Sequence, residues 1–155
     1  MKKRLVALGA FTIATGAQAE DFGELRIGMS QTRTVAELDR YGKATVRPLN
    51  IKDGDTLAYN DRYNVTICRG RVIGITHSLQ PTFATFTREV RVAAAERGGQ
   101  GAWVSDSREG KPTISMVRVS WSATAPDRNY SIGYWEVDGA PLVSESLGSG
   151  RPCTP

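Results

Sequence analysis

Residues 62–79 read RYNVTICRGRVIGITHSL, and the way this stretch folds back on itself decides the architecture. Apolar and polar residues alternate on both sides of an Arg-Gly corner, the mark of two half-buried strands joined by a tight turn. With Cys68-Arg69-Gly70 as a three-residue loop, Gly70 takes the left-handed position. Tyr63 then faces Ile75, Val65 faces Ile73 and Ile67 faces Arg71. This register gathers every large apolar residue except Val72 on one side and leaves Asn64, Thr66, Gly74 and Thr76 on the other. A slip of one residue would scatter them over both faces. Cys68 is thereby expected at the hairpin tip, where the C-terminal end of the chain can reach it.

A helical stretch lies on each side of this hairpin. Upstream, SQTRTVAELDRYG (30–42) carries an apolar stripe of Val35, Leu38 and Tyr41 and ends at Gly42. Ser30 or Thr34 is its N-cap, and Thr34 with Glu37 has capping-box spacing. Downstream, TFATFTREVRVAAAERGG (82–99) repeats Phe83, Phe86, Val90 and Ala93/Ala94 at helical spacing. Thr82 caps this second helix over 82–97, and Gly98-Gly99 end it. Residues 20–29 read as a short strand or arm. Residues 43–58, with Pro48, Asp53, Gly54 and Asp55, read as a loop with one edge strand.

Beyond residue 99 the chain is β-rich. GAWVSDS and PTISMVRVSW flank an REGK turn, APDRN makes the next turn, and YSIGYWEV and APLVSESL flank Asp138-Gly139, a two-residue turn signal. The fold class that follows is α+β: an antiparallel sheet of five or six strands with two helices packed on one face.

The first nineteen residues, MKKRLVALGAFTIATGAQA, have a basic head, an apolar stretch and a small-x-small site at Ala17-Gln18-Ala19. That three-part layout is a secretory signal peptide, which leaves 20–155 as one domain and makes a periplasmic or secreted location the expectation. The apolar stretch falls short of the roughly 20 residues that cross a bilayer. No cysteine stands at the cleavage point, so neither a transmembrane segment nor a lipid anchor is expected. The chain carries 20 Lys and Arg against 16 Asp and Glu, a formal +4. Lys2, Lys3 and Arg4 belong to the leader, so the remainder holds 17 against 16, a net of +1. A nucleic-acid partner is not expected from so balanced a charge.

The two cysteines of the chain are Cys68 and Cys153. An exported domain folds where disulfides persist, and the two lack the Cys-x-x-Cys spacing of a redox site, so a Cys68–Cys153 bridge is expected. The single histidine, His77, has no partner at a diagnostic spacing. Asp53 and Asp55 alternate as calcium ligands would, but the Gly and the closing Glu of such a loop are missing. No cofactor and no metal is expected.

The residues that stand out are aromatic: Trp103, Trp121, Tyr130, Tyr134 and Trp135. Along strand 130–137, Tyr130 and Tyr134 point to one face and Trp135 to the other, and one layer of helices cannot cover both. Tyr and Trp open on a sheet are the anchors that protein interfaces use. The binding candidates are Tyr130, Tyr134 and Arg118 on one side, with Trp121 and Trp135 on the other.

Gly28-Met29-Ser30 before the first helix, Val35, Leu38 and Gly42 along it, and the Gly70-Arg71-Val72 corner carry a resemblance. In the order helix, hairpin, helix, sheet, the chain resembles the small outer-membrane lipoproteins of the SmpA/OmlA type and β-lactamase inhibitor protein. The likeness covers about a third of the exported part, with a longer Val-to-Gly spacing and no lipid-bearing cysteine. It implies non-catalytic protein–protein binding and transfers no residue-specific contact. The expected function is a non-catalytic exported binding or accessory module that acts through a sheet face on a protein or envelope partner. Two alternatives remain: a small secreted hydrolase or lyase using His77 with a carboxylate, and an enzyme inhibitor.

Overall fold

The computed structural model describes residues 22–49, 56–122 and 129–149. The N-terminal segment expected to be a leader, the Asp53-Gly54-Asp55 segment, most of the APDRN turn and the tail with Cys153 lie outside the described residues. The elements in chain order are α1 (Gln31–Asp39), β1 (Thr45–Pro48), β2 (Thr56–Tyr59), β3 (Tyr63–Cys68) and β4 (Arg71–Leu79). Then follow α2 (Phe83–Glu96), β5 (Ala102–Arg108), β6 (Ile114–Ser122), β7 (Asn129–Val137) and β8 (Ala140–Gly148). The fold is α+β, two helices with an open antiparallel sheet of eight strands in the order β1-β2-β3-β4-β8-β7-β6-β5. Eight strands replace the expected five or six. Part of the excess is the pairing of β1 with β2, from a segment whose Pro48 and acidic turn residues argue for a loop.

The β3–β4 hairpin forms with a different register. Tyr63 pairs with His77 and Val65 with Ile75, while Ile67 pairs with Val72 and Cys68 with Arg71. The turn is the two residues Arg69-Gly70, both left-handed (φ 49° and 71°), so Cys68 is the last residue of β3 and not the tip. A bulge at Thr66/Ile67 absorbs the offset. Ile73 is its extra residue, and the bulge turns Val72 into the core, where it is almost fully covered.

Register shows how one core is assembled. Ala58, Val65, Ile75, Leu147, Tyr130 and Trp121 form a continuous cross-strand row. The neighbouring row on the same face is Tyr63, His77, Glu145, Ile132, Val119 and Trp103. Leu38 of α1 and Phe86 and Ala93 of α2 join this one core. The opposite face reads Thr76, Ser146, Ser131 and Ser120 across its centre, a run of hydroxyls.

Local chemistry accounts for both helices. Thr82 Oγ1 accepts from the Thr85 amide at 3.0 Å and caps α2. At the other end the Arg97 amide donates to Ala93 O, and left-handed Gly98 lets the Gly99 amide reach Ala94 O. In α1 the N-cap is Ser30. Thr34 stands inside the helix and donates back to Ser30 O at 2.8 Å, so the Thr34–Glu37 capping box does not form, and Glu37 pairs with Arg40 instead. The two quoted segments Gly28-Met29-Ser30 and Gly70-Arg71-Val72 meet in space: Gly28 N donates to Val72 O, Val72 N to Met29 O, and Gln31 N to Gly70 O. This bonding fixes the start of α1 against the hairpin corner.

Candidate functional site

α2 lies against β7 and β8, while α1 lies against β2 and β4. On the helix side of β6, Val119 and Trp121 are buried, while Trp103 on β5 stays open. Between α2 and these two strands runs an apolar groove of about 510 Å³, lined by Val90, Ala94, Trp103, Val119 and Trp121, with Arg91 as its charged member. It continues into a lobe of about 400 Å³ beside Phe83, Phe86 and Val117. Trp103 and Phe83 keep 58% and 59% of their surface open here. Open rings beside an apolar groove make the kind of contiguous patch that marks an interaction site. Trp103 is held by the edge of Phe86, and Phe83 by the edge of Tyr134.

The register redistributes the five expected binding residues. Trp121 pairs with Tyr130, so it shares the helix side with Tyr130 and Tyr134. Arg118 pairs with Gly133, which puts it with Trp135 on the opposite face. The expected grouping, with Arg118 beside the tyrosines and Trp121 beside Trp135, is thereby corrected. Alternation within a strand is legible in sequence, but the offset between β6 and β7 is a property of their pairing and is not written in either strand.

Tyr130 and Trp121 are only 8% and 7% exposed and belong to the core. Trp121 donates from Nε1 to Gly99 O at 3.0 Å, tying β6 to the end of α2. Tyr134 is half-buried and donates to Glu136 at 2.7 Å, a bond that is the chief cause raising its phenol pKa. On the far face the Trp135 ring lies over Gly133, where any Cβ would overlap it. Beside Trp135 in its row are Leu142 and Met116, and Arg118 and Val104 follow in the next.

A polar cluster sits on the helix side of β4, β7 and β8. Glu145 Oε1 lies 2.8 Å from His77 Nδ1, and Glu145 Oε2 accepts from the Tyr130 hydroxyl at 2.9 Å. His77 stacks on Tyr63 at 4.7 Å and meets the edge of Phe22. The Arg97 guanidinium lies 3.8 Å above the Tyr130 ring. Glu145 lies against the imidazole as a carboxylate lies against a catalytic base, and its second oxygen accepts from Tyr130. The His77 ring hydrogen-bonds to Glu145, lies against the Tyr63 and Phe22 rings, and keeps 26% of its side chain open. The arrangement satisfies polar groups in a half-buried place and clasps Phe22, from the arm before α1, onto the sheet.

Sequence reasoning missed Glu145, because the carboxylate and the histidine are 68 residues apart on strands that are neighbours only through β4–β8 pairing. It also missed the groove, whose advance signs were Trp103 and Trp121 among the aromatics.

Burial first, then the charge and hydrogen bond of Glu145, raise the Tyr130 phenol far above its ordinary pKa, and Arg97 opposes them. The folded protein thus keeps a proton that the unfolded chain releases near pH 10. The stability this represents is complete below about pH 10 and is lost as pH rises further, at about 1.4 kcal/mol per pH unit while the folded group stays protonated. Tyr130→Phe is expected to flatten that decline, as measured by urea unfolding at a series of alkaline pH values. An equally steep decline in the variant would refute this assignment.

Among the described residues no group of His, Cys, Asp or Glu is placed to hold a metal ion, and no helix is long and apolar enough to cross a membrane. Comparison with protein-family models, curated proteins and solved structures returns no match.

Proposed function

We propose that this chain is an exported, non-catalytic binding or accessory module whose contact surface is the outer half of its sheet, on β5, β6 and the uncovered flank of α2. The observation that carries the reading is the apolar groove with Trp103 and Phe83 open at its mouth. Burying two such rings supplies about 1.5–3 kcal/mol each, enough to anchor a protein interface. Trp135 and Arg118 extend the surface around to the far face, while Tyr130, Tyr134 and Trp121 support it from below. An enzyme inhibitor is one form such a module takes. The SmpA/OmlA resemblance points the same way through its non-catalytic binding.

The proposal includes export through the leader at 1–19 and a bridge between Cys68 and Cys153. Cys68 is buried at the end of β3 and is not among free thiols, and Cys153 lies outside the described residues.

A photo-crosslinking side chain at position 103, installed in the exporting cell, is expected to give discrete protein adducts. The same group at Arg33, on the exposed side of α1, should give none. Identical adduct patterns at the two positions would sink the reading.

A further inference from the structure

The two edges of the sheet are guarded unequally. β1 has four residues, ends in Pro48 and carries Arg47, the features that blunt an edge against further pairing. β5 has seven residues, every one exposed, without proline and with Trp103 and Val104 in its first half. An open strand of that length offers a row of unpaired amides and carbonyls to another chain. It also forms one rim of the apolar groove: Trp103 lines both lobes, and Val104 and Ser105 line the second. A strand laid along β5 would alternate. Residues opposite Trp103 and Ser105 would lean into the groove, and those opposite Val104 and Asp106 would face the other way.

We propose that the partner is an extended polypeptide segment that joins the sheet as a ninth strand at β5, with apolar side chains in the groove and one acidic side chain against Arg91. This deepens the binding-module reading and rests on it. Among the described residues Arg91 has no ion pair, although it lines an otherwise apolar groove. A carboxylate arriving on the segment would find there a partner that no other side chain occupies. A second copy of the chain fits less well. Antiparallel self-pairing centred on Asp106 sets two aspartates face to face, and centring on Ser105 leaves them diagonal on one face. Centring on Ser107 matches Asp106 with Arg108 but overlaps only the last three residues of β5.

The test uses random short peptides displayed on phage and selected on the immobilised purified protein. The expected winners alternate apolar residues and include one Asp or Glu. A synthetic winner should slow amide hydrogen exchange along β5, and Arg91→Glu should weaken its binding about tenfold or more. Winners that bind without protecting β5 would overturn strand addition while leaving the binding module intact. Failure to enrich any sequence would overturn both. Protection of β5 that grows with protein concentration and needs no peptide would assign the edge to a second copy and overturn the peptide.

Discussion

Replacing Phe86 by alanine is expected to cost about 3–5 kcal/mol of folding stability, the range for removing a fully enclosed phenylalanine. Phe86 is 1% exposed and meets Phe83, Trp103 and Tyr134 at centroid distances of 5.7, 6.3 and 6.1 Å. It is the residue through which α2 reaches both the core and the flank of the groove. The loss combines a transfer contribution with a void, because β7 and the helix cannot close on the vacated volume. Domains of this size are stable by roughly 5–15 kcal/mol, so the loss is a large share of the whole margin. Phe83, one turn earlier, is a built-in control. It is 59% exposed, and Phe83→Ala should cost less than about 1 kcal/mol while removing a ring from the groove's mouth. Denaturant unfolding with unchanged m-values measures both. Comparable losses at the two positions would mean that α2 is not seated as described.

That contrast shows what a sequence can carry. The existence, cap and stop of α2 are local: Thr82, the 3.6-residue recurrence of apolar side chains and Gly98-Gly99 all lie within one stretch, and the helix formed over Phe83–Glu96. The same holds for β7 and β8, whose Asp138-Gly139 turn is written between them. Periodicity alone does not say that Phe83 stays open and Phe86 is enclosed, because both fit the apolar stripe. The β3–β4 hairpin was legible in its faces but not in its register. The two-residue turn and the bulge each shift the pairing by one, so every pair from Thr66 outward moves by two, an even step that keeps each side chain on its side. The bulge also reverses Val72, the one residue that spoiled the alternation. The faces of Trp121 and Arg118 differ from the expected grouping because the offset between β6 and β7 is not written in either strand alone. Glu145 and the groove depend on strand order, the level of organisation furthest from any short stretch of sequence.

Converting Cys153 to serine is expected to remove up to about 4–5 kcal/mol through loss of the proposed bridge to Cys68, since that bridge would close residues 68–153 into one loop and restrict the denatured ensemble. The structure bears on where that bridge would act. Cys68 is enclosed at the end of β3, beside the Arg69-Gly70 turn and directly opposite Arg71. Ser30 bridges to the same Arg71, and Gly28 and Gln31 bond to the corner around it. β8 ends nearby, with Gly148 paired to Gly74 and the Ser149 amide donating to Ile73 O, so the chain leaves the sheet close to the bulge of β4. A bridge there would join the start of α1, the hairpin corner and the exit of β8. Cys68→Ala alone should cost as much as Cys153→Ser plus a small packing loss. The double variant should cost no more than Cys68→Ala, because a bond already absent cannot be removed twice. A reducing agent should lower the midpoint of the parent and leave both variants unmoved. Additive losses, or a parent indifferent to reduction, would mean that the two sulfurs are not joined and that β8 is held to the hairpin by its backbone pairing alone.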